Sequence, residues 1–469
     1  MKKTNVDEYL DKTTQNIYNE KSKSLALKKL YGATVETIKA LSKDKGEPEW
    51  VLDLRLKAFK LFKELPNPTW GPDISYLDVE KIATYVKHNS REERKWEDVP
   101  EDIRGIFDKL GIPESEKKSL SGVGAQFDSE IIYHNLEEKL KEKGVIYTNF
   151  DKALTEYPEL VKKYFTKIVP ITDHKYIALH YALFSGGSFV YIPKGVKLEM
   201  PLQSYFRLNE KGAGQFEHTL IIVEDEASLE FIEGCSAPGY NDINLHVGCV
   251  ELYVGKKAFL RFSTIENWSK NLLNLNTKKC HVSEDGKIEW IMGSFGSKVS
   301  MLYPLSVLNG KNARCDFTAL SFAGNGQNLD TGVKIVHNAE NTTSVVNSKS
   351  ISKDGGICTF RSNVLVKKNA PLSKLALSCE SLMLDSISRS DTIPANTIEN
   401  DKVTFSHEAS IGKISEEAIY YLMSRGLSET EAKSLIVQGF AEPISKAFPV
   451  EYAVEMNRLI NLELEGTIG

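Results

Sequence analysis

The chain has 469 residues, 41% of them hydrophobic and 26% charged, with a formal net charge of −5. That length exceeds one compact core, so two or three domains are expected, and the composition is that of an ordinary globular protein. The acidic balance excludes an overall basic surface for nucleic acid. The absence of an apolar run of about 18 residues, and of an apolar stretch behind the first lysines, argues against a membrane span or secretory signal.

In chain order, residues 1 to about 65 read as helical. Tyr18 to Ser42 is rich in Lys, Leu, Ala and Glu, and Trp50, Leu54, Ala58, Phe59 and Phe62 share one helical face. Pro48 stands at the entry of that second run, and Pro66, Asn67 and Pro68 stop it. A charged segment covers 88–104, and short helices are expected over 101–165, with an entry at Ile112 to Glu116. Residues 1–165 thus form an expected N-terminal helical region.

Near His174 the period changes. Ser188 to Ile192, Thr219 to Val223 and Leu245 to Val254 are short, rich in β-branched and aromatic residues, and separated by Gly, Asn and Asp. No further helix is expected before Ser415. A turn followed by alternating apolar and polar residues recurs at 226–231, 257–262, 286–291, 312–317 and 341–346, so that successive starts are almost evenly spaced. A near-constant period in an all-β stretch points to stacked coils, a parallel β-helix over 166–410, with a pair of β-sandwiches as the alternative.

From 411 to 469 helices return. Ser415 caps one that ends near Gly426, Ser428 to Glu431 is a capping box for one reaching Gly439, and Pro449 starts a third. Their apolar stripes either pack back on the β core or dock a partner.

Stacking gives the polar residues a consequence, because residues one period apart lie on adjacent coils about 4.8 Å apart. Cys379 and Glu408 are one period apart and are expected to stack, with His407 beside them, as a thiolate, imidazole and carboxylate set suited to iron or zinc. Arg207, Cys235 and Glu266 are expected to form a second column. Cys235 precedes Cys379 by close to five periods, so a line of polar and sulfur-bearing residues is expected between them. Glu233-Gly234-Cys235-Ser236-Ala237-Pro238 reads as a turn that leaves the thiol reachable. Cys249, Cys280, Cys315 and Cys358 read as buried packing residues, and Trp268 as core or coil-edge packing. Six scattered cysteines in so large a chain suit reduced thiols and a cytoplasmic location. No GxxxxGK[ST] motif occurs, so no P-loop nucleotide is expected on this chain.

Several motifs together carry a resemblance. They are Glu47-Pro-Glu-Trp50-Val-Leu-Asp53-Leu-Arg55-Leu-Lys-Ala58, Gly122-Val-Gly-Ala-Gln126, Phe206-Arg207-Leu-Asn209, Glu233 to Pro238, Cys379 and His407-Glu408-Ala409. In this order the chain resembles, over nearly its whole length, the SufB branch of the SufB/SufD family, scaffold subunits of the SUF iron–sulfur cluster assembly system.

The resemblance implies a right-handed parallel β-helix core flanked by helical domains. It implies a scaffold rather than an enzyme, with the C-terminal helices docking the ABC-type ATPase SufC. It implies pairing with SufD or a second SufB, and a transient 4Fe-4S or 2Fe-2S cluster at that junction. By position, Cys235 matches the sulfur-accepting thiol and Cys379 the thiol on which the cluster is built. Glu408 and His407 match the second ligand region, and Arg207, Asn209, Glu266, Trp268 and one of Lys278 and Lys279 line the route between the thiols. Sulfur donors and apo-protein acceptors are implied as further partners, and reduced flavin is associated with the family, although the chain has no flavin fingerprint.

Two positions depart from the pattern: Glu266 stands in place of an expected Gln, and Ser406 in place of an expected Glu, so Ser406 is not counted as a ligand. The competing readings are a SufD-like partner subunit, which both thiols argue against, and a β-helix carbohydrate-active enzyme, which would need paired exposed carboxylates.

Overall fold

The computed structural model describes residues 26–88, 92–101, 103–105 and 120–465. The expected helix entry at 112–116 lies outside them, as do residues 18–25 of the first expected helix. Two long sheets carry the fold, and successive strands alternate between them. The first runs from edge strand Thr404–Lys413 through Lys374–Met383, Thr343–Ser352, Arg314–Ala323, Lys287–Phe295, Phe259–Asn267 and Ser228–Ser236. It continues to Leu202–Arg207 and Gly122–Phe127 and ends on antiparallel Glu130–Leu136. The second runs from Arg389–Ile398 to antiparallel Ile146–Asn149. The result is a parallel β-solenoid of about eight turns with helices at both ends of the chain.

The turn chemistry explains the repeat. Six units begin at a non-glycine residue of positive φ: Glu226 at 62°, Lys257 at 54°, Asp285 at 55°, Asn312 at 61°, Asn341 at 56° and Leu372 at 61°. Two residues later a strand opens, and Ser228, Phe259, Lys287, Arg314, Thr343, Lys374 and Thr404 follow one another in register. Asn and Asp tolerate this left-handed corner better than other residues. They also bond up the stack, Asn341 Nδ2 to Asn312 Oδ1 at 2.6 Å and Asn312 Nδ2 to Asp285 Oδ1 at 2.8 Å.

Between the sheets the register builds columns. Phe231, Phe262, Trp290, Phe317, Val346, Leu377 and His407 lie one above another, with Phe231–Phe262 and Phe262–Trp290 ring centroids 5.6 and 5.5 Å apart. Burial of this apolar column supplies the dominant cohesion of the solenoid.

The N-terminal region is less helical than its sequence predicts. Helices Val35–Lys45 and Glu49–Glu64 are present, but Ala26–Tyr31 is a strand paired with Ala83–His88. Gly122–Phe127, Glu130–Leu136 and Ile146–Asn149, inside the stretch read as helical, join the solenoid sheets. Sheet pairing overrides weak local helix propensity there. Conversely, helix Lys175–Leu183 falls where strands alone were expected. All but its first residue is buried, so it has no amphipathic stripe to read. The Glu47 to Ala58 motif proves to be a lock on that helix. Arg55 donates to Glu47 Oε2 at 2.8 Å and, across to the helix end, to Phe184 O at 2.7 Å and Ala182 O at 3.3 Å.

At the other end, the capping box of Ser428 and Glu431 forms, but its helix runs Glu429–Ser445, past Gly439 and through Pro443. With helix Val450–Glu465 it packs Ala432, Val437, Ala441, Ile444, Met456, Leu459 and Ile460 against Ile265, Ile291, Phe295, Leu320, Phe322 and Ile351. Those strand residues alternate with the inward ones, so the helices cover the outer face of the first sheet. Tyr420, Tyr421, Met423 and Leu435 stay exposed. Among the described residues no helix is long and apolar enough to cross a membrane.

Candidate functional site

Cys235 sits in strand Ser228–Ser236, not in an open turn, and its side chain is buried in a cluster with Phe206 and Trp268. The thiol is therefore not the reachable turn residue that the sequence predicts. The Gly234 that suggested a turn is needed because any side chain there would strike the Tyr205 ring, 2.5 Å from an ideal Cβ. Glu266 is the register partner of Cys235, as the coil period predicts. Arg207 is not in that column. It pairs with Ser236 and donates to Ser236 Oγ at 3.0 Å, because the coil here is one residue longer than the spacing of Arg207 and Cys235, and a slip of one turns a side chain to the other face. Asn209 stands with it on Asp128, whose Oδ1 accepts the Asn209 amide at 2.6 Å.

Lys278 rather than Lys279 enters the interior. Lys278 Nζ is fully buried and donates to Glu233 Oε1 at 2.6 Å, whereas Lys279 leaves the interior for Asp173 at 2.5 Å. Burial pulls the Lys278 ammonium down, but Glu233, Glu266 and Cys235 outweigh it and hold its pKa above the usual value. Burial raises the Glu266 carboxyl. Its Oε2 accepts from Asn274 at 2.8 Å, and among the described residues nothing meets Oε1. Burial, and then Glu233, Glu266 and Glu217, push the Cys235 thiol well up, so it rests protonated until a partner changes the local charge.

Glu217, His246 and Asn274 of this interior network escaped sequence reasoning, and Glu233 figured there only as part of the Cys235 motif. His246 Nε2 meets Glu217 Oε1 at 2.5 Å, and its Nδ1 meets Asn274 Oδ1 at 2.7 Å. Burial lowers His246, but Glu217 overcomes it and leaves the pKa raised. The His246 ring lies 4.6 Å from Trp268. A signal existed, since Glu217, His246 and Asn274 follow one another at the same period that defined the coils.

From Cys235 the column continues through Glu266, Ser294, Ser321, Ser350 and Ser381. All four serines are buried, and Ser350 donates to Ser381 Oγ at 2.7 Å. A parallel column on the same face runs from Glu233 through Thr264, Met292, Ala319 and Ser348 to Cys379. Cys379 therefore lies five coils from Cys235, about 24 Å along the axis, and two residues along the strand from Ser381. Burial pushes its thiol up to about 11.

The expected stacking of Cys379 on Glu408 does not occur. The last coil is one residue longer than the spacing of those two, so Ala409 pairs with Cys379 and Glu408 pairs with Ser378. Glu408 thus points to the face opposite Cys379. His407, paired with Leu377, points to the same face as Cys379 as its diagonal neighbour, within reach of a long side chain. Its Nε2 is buried with no partner among the described residues, which leaves a lone pair or proton open beside the thiol. Ser406 pairs with Ala376 and is exposed, on the face away from Cys379.

These residues lie at the open end of the solenoid. The opposite end is closed by antiparallel strands, but among the described residues nothing pairs with the outer edges of Thr404–Lys413 and Arg389–Ile398. Ile393, Ile398 and Ile411 are exposed there. A cavity of 670 Å³ under the C-terminal helices, lined by Glu230, Arg261, Glu289 and Tyr452, lies on the outer face and contains neither thiol.

Comparison with known proteins agrees with this architecture. Residues 206–440 match the family model described as SUF system FeS cluster assembly, SufBD core domain, and residues 21–204 match the SufBD protein N-terminal region. An iron–sulfur cluster assembly SufBD family protein of Staphylococcus aureus strain MRSA252 is 50% identical over 438 residues, 93% of this chain and 94% of the relative. One of Staphylococcus haemolyticus strain JCSC1435 is similar to the same extent. The chain belongs to the SufBD family of the SUF iron–sulfur cluster assembly system.

Proposed function

We propose that the chain is the SufB-type scaffold of this system, and that it accepts sulfur at Cys235 and builds a labile cluster at Cys379. The observation that carries the reading is the buried polar column from Cys235 through Glu266 and four serines to Ser381, beside Cys379. A donor persulfide would be attacked by the Cys235 thiolate, breaking the donor S–S bond, forming one on Cys235 and releasing the donor thiolate. Lys278 is the interior cation able to favour that thiolate and its anionic persulfide. Each sulfur arrives as sulfane sulfur, so cluster sulfide needs two electrons per atom from a separate reductant, for which reduced flavin is the candidate.

The cluster, as cargo, would take the Cys379 thiolate with His407 as the same-face nitrogen ligand. Stable clusters are usually held by four thiolates, so a set this poor suits release. The uncapped edges at that end support completion of the site by a second β-helix, SufD or another copy of this chain, because exposed edges are normally covered. Exposed Tyr420, Tyr421, Met423 and Leu435 support a docking face for the SufC ATPase on the C-terminal helices. A SufD-like silent role is the second reading, favoured only by the burial of both thiols.

The test is anaerobic loading of wild type, Cys379→Ser and Cys235→Ser, read by absorption and iron count. Loss of cluster in Cys379→Ser, with Cys235→Ser deficient only when sulfur comes from a donor, supports the scaffold. Equal loading in all three supports the silent role.

A further inference from the structure

Away from the thiol column, His180 on helix Lys175–Leu183 meets His218 and Cys249, which open neighbouring strands and are register partners. One ligand atom from each lies within 4.8 Å of the others, and all three residues are buried. An ion with bonds of about 2.1 Å to nitrogen and 2.3 Å to sulfur would space tetrahedral ligands roughly 3.4 to 3.6 Å apart, so small side-chain shifts close the set.

The proton count favours a cation. His180 Nδ1 lies 2.7 Å from Val247 O and must donate to it, so its Nε2 carries a lone pair in the neutral ring. That lone pair faces His218 Nδ1 at 3.1 Å. His218 Nε2 faces Glu251 Oε2 at 3.4 Å. The Glu251 carboxylate already accepts from the amides of Thr166, Ile168 and Val169 and from the Tyr181 hydroxyl.

With its proton on Nδ1, a neutral His218 sets a lone pair against a carboxylate, in a cage whose Phe150 and Phe165 rings stand 4.6 and 4.8 Å away. With its proton on Nε2, two lone pairs confront each other. Either a second proton on His218 or a metal ion on His180 Nε2 and His218 Nδ1 removes both conflicts, and only the metal also uses the Cys249 sulfur beside them. The metal leaves each ring donating its second N–H, one to a carbonyl and one to a carboxylate, the usual support of ligating histidines.

We propose that His180, His218 and Cys249 form a buried site for a divalent transition ion, zinc or ferrous iron, which ties helix Lys175–Leu183 to the first coils. Two imidazoles and a thiolate select such ions over magnesium or calcium. The Cys249 thiol gives up its proton when it binds as thiolate. The site is closed to solvent, so the ion enters as the chain folds. This proposal is independent of the scaffold reading.

The test uses full-length Cys235→Ser/Cys379→Ser protein, which removes the route thiols, made in cells supplied with zinc or with iron and assayed by elemental analysis. A sample refolded with cobalt is also read for thiolate charge-transfer absorption. About one ion per chain, absent from added His180→Ala and from near-isosteric Cys249→Ser, with a lowered Tm in both, is the expected result, and the two growth conditions name the ion. A folded background without metal or cobalt–thiolate absorption overturns the proposal. So does equal metal in the Cys249→Ser chain.

Discussion

Replacing Lys278 by methionine tests whether the interior charges near Cys235 act as a unit. Lys278 and Glu233 are 0% and 1% exposed and 2.6 Å apart. Lys278→Met leaves the Glu233 carboxylate, among the described residues, with the Thr264 hydroxyl at 3.3 Å as its remaining side-chain bond. Removing one partner of a buried pair costs about 3 to 5 kcal/mol, whereas replacing both with apolar side chains is often neutral. Spread over a chain of 469 residues, a loss of that order lowers Tm by roughly 3 to 5 °C. The stranded Glu233 carboxylate then bears the desolvation cost of a buried charge without its cation. Thermal melts of wild type, Lys278→Met and Lys278→Met/Glu233→Leu measure this. The single variant should melt lower, and the double variant should regain most of the loss. A single variant within about 1 kcal/mol of wild type, or a double variant no better than the single, would refute the reasoning.

Particular contacts carry three more expectations. Glu463 is buried in the last helix with its pKa raised to about 7, chiefly by burial. The protonated form is favoured on folding, so stability falls as pH rises from about 4.5 to 7, by about 3 kcal/mol in total. Glu463→Gln should flatten that slope and hold the C-terminal helices better at pH 8 in hydrogen exchange; an unchanged slope sinks the assignment. Ser350→Val removes the donor to Ser381, with a cost of about 1 to 2 kcal/mol, and should cut cluster formation from a persulfide donor while sparing formation from free sulfide. Equal loss by both routes would mean the serines only pack. Leu372, 58% exposed at φ 61°, holds a left-handed corner that costs a leucine about 1 to 2 kcal/mol. Leu372→Asn, matching Asn341 and Asn312, should raise Tm, and a fall in Tm would count against the corner argument.

The coils were legible because their turns and columns repeat. Glu226, Lys257, Asn312 and Asn341 mark their corners to the residue, and the recurring interval is the solenoid's circumference. What a mean period cannot carry is phase. Strands of the first sheet open at Ser228, Phe259, Lys287, Arg314, Thr343, Lys374 and Thr404, so the coils are unequal in length, and one residue of drift reverses a side chain. That drift keeps Glu266 on Cys235 but turns Arg207 to Ser236 and Glu408 to Ser378. It also shows why His407 was the harder reading. Its place is set by Phe231, Phe262, Trp290 and Leu377 above it, an apolar column in which a histidine is the exception.

That exception bears on how the open end works. Six coils of the column carry aromatic or aliphatic side chains, and the seventh carries an imidazole whose Nε2 lacks a partner among the described residues. A buried polar atom without a partner costs on the order of 1 to 3 kcal/mol. The cost falls at the one end of the solenoid where strand edges are also unpaired among the described residues. Both deficits are met together if a second β-helix abuts Thr404–Lys413 and a metal-bearing cargo reaches Cys379 and His407 across the junction. On that account His407→Leu should stabilise the isolated chain by continuing the apolar column, and should weaken cluster retention in the paired scaffold. A His407→Leu chain that is both less stable alone and equally able to hold cluster would place the histidine among ordinary packing residues.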